Sequence, residues 1–78
     1  MKRVFDGCAL VECDRFYDAM QFKLWENYGK KRIYINRDDG KKSYGYIDCN
    51  NGYELVVRDR EDDYKVLVAK FFEEYEIA

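Results

Sequence analysis

The chain has 78 residues, 47% of them hydrophobic and 18% aromatic, with 14 basic against 16 acidic side chains and no histidine. That length supports a single compact domain over residues 1–78, and the apolar content excludes a disordered tail. No apolar run reaches the roughly 18 residues of a membrane span, and Asp6 and Glu12 interrupt the start MKRVFDGCALVEC, so neither a transmembrane helix nor a signal peptide is expected.

In chain order, the run DRFYDAMQFKLWENYG places Phe16, Met20, Leu24 and Tyr28 four apart with Tyr17 beside them, which predicts one face of a helix. Asp14 is its candidate N-cap and Gly29 its stop. The same face runs back through Cys13 and Leu10, so the helix can begin near Asp6, although residues 2–5 read equally well as a short strand. Three short β-branched and aromatic runs follow, KRIYIN, KSYGYID and YELVVRD. They are separated by Asp39-Gly40 and Asn51-Gly52, dipeptides that favour two-residue type I′ hairpin turns. If both turns are of that kind, Ile33 faces Tyr46 and Tyr46 faces Val57.

Side chains alternate along strands, so this register collects Ile33, Ile35, Tyr44, Tyr46, Tyr53, Leu55 and Val57 on an inner face, with Asp48 its only polar intruder. The outer face takes Arg32, Tyr34, Ser43, Gly45, Ile47, Glu54, Val56 and Arg58. The last segment, DREDDYKVLVAKFFEEYEIA, sets Tyr64, Val68, Phe71, Phe72 and Tyr75 on a second helical face, with Asp59 as N-cap and Glu61, Asp62 and Asp63 in the first turn. The expected fold is therefore α+β in two layers, helix, three-stranded antiparallel meander, helix (α-β-β-β-α).

The chemistry the sequence excludes is as informative. With one serine, no threonine and no histidine, a nucleophile lacks its usual base, so acyl transfer is not expected. Cys8, Cys13 and Cys49 are too few and too dispersed for a zinc site. They are expected to be small buried or half-buried hydrophobes, and their odd number points to a reducing, cytoplasmic setting. No glycine-rich phosphate loop is present. Neither a cofactor nor a metal is expected, and the chain does not read as an enzyme.

Three surfaces remain as candidates. Tyr34, Ile47 and Val56 at the centre of the outer face, with Arg32 and Arg58 at its rim, have the residue types of binding hot spots. Residues 30–42 hold six basic side chains, Lys30, Lys31, Arg32, Arg37, Lys41 and Lys42, against Asp38 and Asp39. The C-terminal segment holds the acids Asp59, Glu61, Asp62, Asp63, Glu73, Glu74 and Glu76, the last three where a helix end prefers cations. A protein-binding module using acidic and tyrosine-rich surfaces follows as the first reading. Nucleic-acid binding through Lys30, Lys31, Arg32, Lys41 and Lys42, with Tyr34 stacking on bases, is the alternative, and a pI near 5.1 argues against it. The partner is expected to be a protein or complex rather than a membrane, and a free strand such as YELVV could pair two copies.

The acidic run DREDDY, the tail EEYE, the many tyrosines and the missing catalytic equipment together resemble, in kind, the small inhibitors that bacteriophages carry against host defence, the anti-CRISPR proteins among them. The resemblance implies an inhibitor of a larger, nucleic-acid-handling protein, a nuclease effector among the candidate targets, with the C-terminal carboxylates standing where phosphates would lie.

Overall fold

The computed structural model describes residues 1–39, 42–58 and 61–77. Among them the chain forms β1 (Arg3–Phe5), β2 (Cys8–Cys13), β3 (Asp18–Asn27), β4 (Lys30–Arg37), β5 (Ser43–Asp48), β6 (Glu54–Val57), α1 (Glu61–Glu74) and β7 (Tyr75–Ile77). Strands β2 to β6 make one antiparallel sheet in sequential order, and β1 pairs with β7 in a separate parallel ribbon. The expected α-β-β-β-α order is thus overturned. The protein is mostly β, with a single C-terminal helix laid over one face of a five-stranded sheet.

The N-terminal helix is replaced by the β2–β3 hairpin, and Phe22 explains why. Met20 and Leu24 lie four apart, a spacing that suits a helix face and, equally, every second residue of a strand. Phe22 between them falls on the far side of a helix but on the same face of a strand. It is fully buried, in line with Ala9, Val11 and Cys13 across the ladder. Residues 14–17 form the connecting loop, in which Phe16 and Tyr17 donate backbone hydrogen bonds to the carbonyls of Cys13 and Asp14 and Tyr17 takes a φ of 53°. Gly29 ends no helix. Tyr28 and Gly29 have φ of 49° and 75° and link Asn27 to its cross-strand partner Lys30, a two-residue turn with the positive φ at both positions that type I′ geometry requires.

The β4–β5 register begins as the sequence implies, with Asn36 opposite Ser43, and then shifts at a bulge between Ile35 and Asn36. From there Ile33 faces Ile47 and Tyr34 faces Tyr46. The second connection is also longer than expected, because Asn51 keeps a negative φ and only Gly52 is positive, at 87°. Asp48 then pairs with Glu54 and Ile47 with Leu55. The two slips cancel between β4 and β6, which keep their expected faces; β5 turns over from Gly45 onward, while Tyr44 stays on the core side as expected, 6.0 Å from the Tyr64 ring. Ile47 goes inside and Tyr46 and Asp48 outside, the reverse of the reading from the turns. Gly45, expected on the outer face, is buried against β6. Gly40, of the first turn, lies outside the described residues.

The core is built between this inner face and α1. Phe22, Ile33, Ile35 and Ile47 from the sheet meet Tyr64, Leu67 and Phe71 from the helix, all 1% exposed or less. Each such side chain contributes about 1.5–3 kcal/mol by leaving water. Phe71 is the hub, stacked on Phe22 at 4.4 Å and edge-on to Phe5 at 5.0 Å. Tyr64 and Phe71 lie on the expected helical face and Leu67 joins them, whereas Tyr75 has left the helix for β7 and stacks on Phe71 at 5.2 Å. No helix among the described residues is long and apolar enough to cross a membrane.

Candidate functional site

Because α1 covers one face of the sheet only, the other is left to solvent, and its centre is aromatic. Strand pairing sets Trp25 beside Arg32, and Tyr34 between Lys23 and Tyr46, with Val56 next along the row. The Arg32 guanidinium lies 4.5 Å from the Tyr46 ring centroid and 5.9 Å from that of Trp25. One of its terminal nitrogens donates to the Tyr34 hydroxyl at 3.3 Å. Trp25 meets Tyr34 edge-on at 6.2 Å, and Tyr34 meets Tyr46 at 5.6 Å. Four side chains from three strands thus hold one another in place.

The hydrogen bond to Tyr34 holds the Arg32 guanidinium above its ordinary pKa, against the opposing effect of burial, with the tyrosines and Asp48 adding to the rise. Its Nε is enclosed without a hydrogen-bond partner. A cation so placed stays charged at any accessible pH, and the rings around it are rigid, amphipathic contact area of the kind that anchors interfaces. Leu10, Trp25 and Val56 remain well exposed on this side, at 58%, 37% and 38%.

Of the five side chains expected here, Tyr34, Val56 and Arg32 belong to the face, and Arg58 continues its alternation at the exposed end of β6. Ile47 does not, being 1% exposed in the core. Trp25 and Tyr46 were missed. Trp25 lay in the segment read as a helix, where its alternation with Lys23 and Gln21 was the available signal. Tyr46 was assigned to the wrong face by the β5 register.

The two charged candidates do not form single patches. Asp63 is buried and accepts a salt bridge from Arg15 at 3.0 Å, so it serves the fold. Glu61 and Asp62 flank Lys65 at 3.8 and 3.9 Å. Glu73 and Glu74 end the helix and Glu76 lies in β7, about 20 Å from the first turn at 1.5 Å rise per residue. Asp59 lies outside the described residues.

The basic set is divided likewise. Lys30 and Lys31 sit by the Tyr28-Gly29 turn, where Lys31 approaches Glu26 at 3.7 Å. Lys42 lies near the other end of β4, over the Tyr44 ring at 5.0 Å, and Arg37 there pairs with Asp18 at 3.1 Å. At about 3.3 Å per residue those ends are some 20 Å apart. Arg32 belongs to the aromatic face, and Lys41 lies outside the described residues.

The three cysteines are free: Cys13 is buried and Cys49 half-buried, but Cys8 is exposed, contrary to its expected role as a packed hydrophobe. Burial pushes the Cys49 thiol up, Lys31 acting in the opposite direction and Asp48 adding to the rise. Among the described residues no three His, Cys, Asp or Glu side chains converge as metal ligands would. Comparison with protein-family models, with curated proteins and with solved structures returns no match to this chain.

Proposed function

We propose that this chain is a non-enzymatic binding module that docks on a larger protein through the outer face of its sheet, centred on Trp25, Arg32, Tyr34 and Tyr46. The observation that carries the reading is the mutual packing of these four side chains on a face the helix leaves open. Preorganised aromatic and arginine side chains lose little entropy on docking, which is why such residues dominate binding energy. The surrounding charges favour a protein over nucleic acid. Lys23 and Arg32 share the face with Glu12, Asp48 and Glu54, a mixed field rather than the basic groove that tracks a phosphate backbone. Inhibition of a nucleic-acid-handling target is the form the resemblance to phage inhibitors suggests, with Glu73, Glu74 and Glu76, which have no ion-pair partner among the described residues, as the carboxylates that would mimic phosphate.

The test is capture from host lysate, with and without nuclease, using the native chain and Trp25→Ala and Tyr34→Ala variants whose folding is checked by circular dichroism. One large protein should be retained after nuclease treatment, and its affinity should fall about 30-fold or more for Trp25→Ala, the loss expected of a hot-spot residue. Capture that vanishes with nuclease would overturn the proposal in favour of the basic side chains Lys30, Lys31 and Lys42.

A further inference from the structure

The two edges of the main sheet are not equally protected. Odd-numbered residues of β2 bond to β3, as the Leu24 N–H donating to the Gly7 carbonyl at 2.8 Å fixes, so the backbone groups of Cys8, Leu10 and Glu12 point outward. On that edge the Lys70 ammonium donates to the Glu12 carbonyl at 2.6 Å, placing a charged side chain across the strand. Lysine at an edge is a common guard against strand addition.

The β6 edge lacks such a guard among the described residues. The Arg58 N–H donates to the Tyr44 carbonyl at 3.2 Å, which makes the even-numbered residues of β6 the ones bonded to β5. The N–H and C=O groups of Leu55 and Val57 therefore face outward.

The side chains on this strand are arranged symmetrically about Val56. Glu54 lies two residues before it and Arg58, just past the end of β6 but still bonded to Tyr44, two residues after; both are exposed, and continued alternation sets both on the outer face. Neither has an ion-pair partner among the described residues. Within its own chain Glu54 stands directly opposite Asp48, a like-charge pair that destabilises a ladder.

We propose that β6 is a self-complementary dimer edge whose occupant is β6 of a second copy, antiparallel about a two-fold axis at Val56. In that register Leu55 faces Val57 of the second copy, each pair exchanging both backbone bonds. Glu54 falls opposite Arg58 of the second copy, and by symmetry this happens twice. The acid that meets Asp48 in the monomer gains a cation in the dimer. An isologous pairing of this kind closes on itself, while the Lys70 guard on β2 stops further strands from extending the sheet. The β2 edge offers no equivalent, since centring it on Leu10 would set Cys8 against Glu12. A four-residue edge is a small interface, so the association is weak and concentration-dependent. The inference is independent of which partner the outer face takes.

The experiment is sedimentation equilibrium over a concentration series, with Glu54→Arg, Arg58→Glu, their equimolar mixture and the double variant. The native chain should approach twice its 9.5 kDa mass as concentration rises. Either single reversal sets like charges together at both sites, so the dimer dissociation constant should rise by about 10- to 30-fold. The mixture and the double variant restore opposite pairs and should recover dimerisation. The Leu55 and Val57 amides should also gain hydrogen-exchange protection with concentration, whereas Leu10 should not. A native chain that stays monomeric throughout, a dimer indifferent to both reversals, or a mixture no better than its components would each overturn the proposal.

Discussion

Replacing Gly45 with alanine tests the reversed β5 directly. Gly45 lies between Ile35 and Val57 on the buried face. A Cβ there would sit 2.4 Å from the Val56 carbonyl oxygen, 2.8 Å from Val57 Cγ1 and 2.9 Å from Val57 Cα. The valine methyl can rotate away, but the other two atoms belong to the backbone, so β6 itself must move. Overpacking of this kind costs about 1–3 kcal/mol, and each ladder hydrogen bond weakened by the shift adds about 0.5–1.5 kcal/mol. A total near 3 kcal/mol corresponds to a melting point lower by about 10 °C or more in a domain of this size. Gly7→Ala is the control, since Gly7 has no positive φ and nothing within 4 Å of the new methyl. It should be neutral or stabilise by about 0.4–1 kcal/mol through the unfolded state. Urea unfolding measures both, with an unchanged m-value showing that the same surface is exposed. Gly45→Ala as stable as the native chain would refute the register and the close approach of β6.

The same strand gives a paired prediction: Ile47→Ala should cost about 2–5 kcal/mol in urea unfolding, as removal of a core isoleucine does, and Tyr46→Ala about 1 kcal/mol. Equal losses, or the reverse order, would return Tyr46 to the core. Thiol chemistry supplies another, read by timed alkylation and mass spectrometry across a pH series. Exposed Cys8 should label first, Cys49 should lag at neutral pH because its raised pKa leaves less thiolate, and buried Cys13 should wait for unfolding. The folded state holds the Cys49 proton to higher pH than the unfolded chain does, so this contribution to stability is present below the unfolded pKa and lost as pH rises through the folded one. Cys49 labelling as fast as Cys8 at neutral pH would contradict its placement.

The legible parts of the fold were those where local pattern had one solution. The α1 periodicity through Tyr64, Val68, Phe71 and Phe72 has no competing strand reading over fourteen residues, and its acidic first turn marks the start. The β4 and β6 faces were also legible, as was Tyr34 at the centre of the open face. Residues 8–27 were not, because their apolar residues satisfy periods of two and of four together, and only Phe22 separates the alternatives. The β5 face was lost to a bulge that no residue type announces and to a loop whose Asn-Gly pair turns less tightly than usual. Each shifts a ladder by one residue, and a single residue suffices to exchange the faces of a strand. The acidic candidates failed differently: adjacency in sequence could not reveal that Asp63 turns inward to Arg15 while Asp62 stays in water.

The parallel pairing of β1 with β7 joins the two ends of the described chain, Arg3 opposite Tyr75 and Phe5 opposite Ile77. Tension applied through these ends pulls β1 from its beginning and β7 from its finish, which in a parallel pair are opposite ends of the ribbon. The load runs along the strands and falls on all their cross-links at once, instead of peeling them apart singly. Phe5, wedged between Phe71 and Tyr75, must slide past both rings before the ribbon parts. A short ribbon fastened by one aromatic peg is therefore a shear clasp, and traction on flanking chain meets it before reaching the five-stranded sheet.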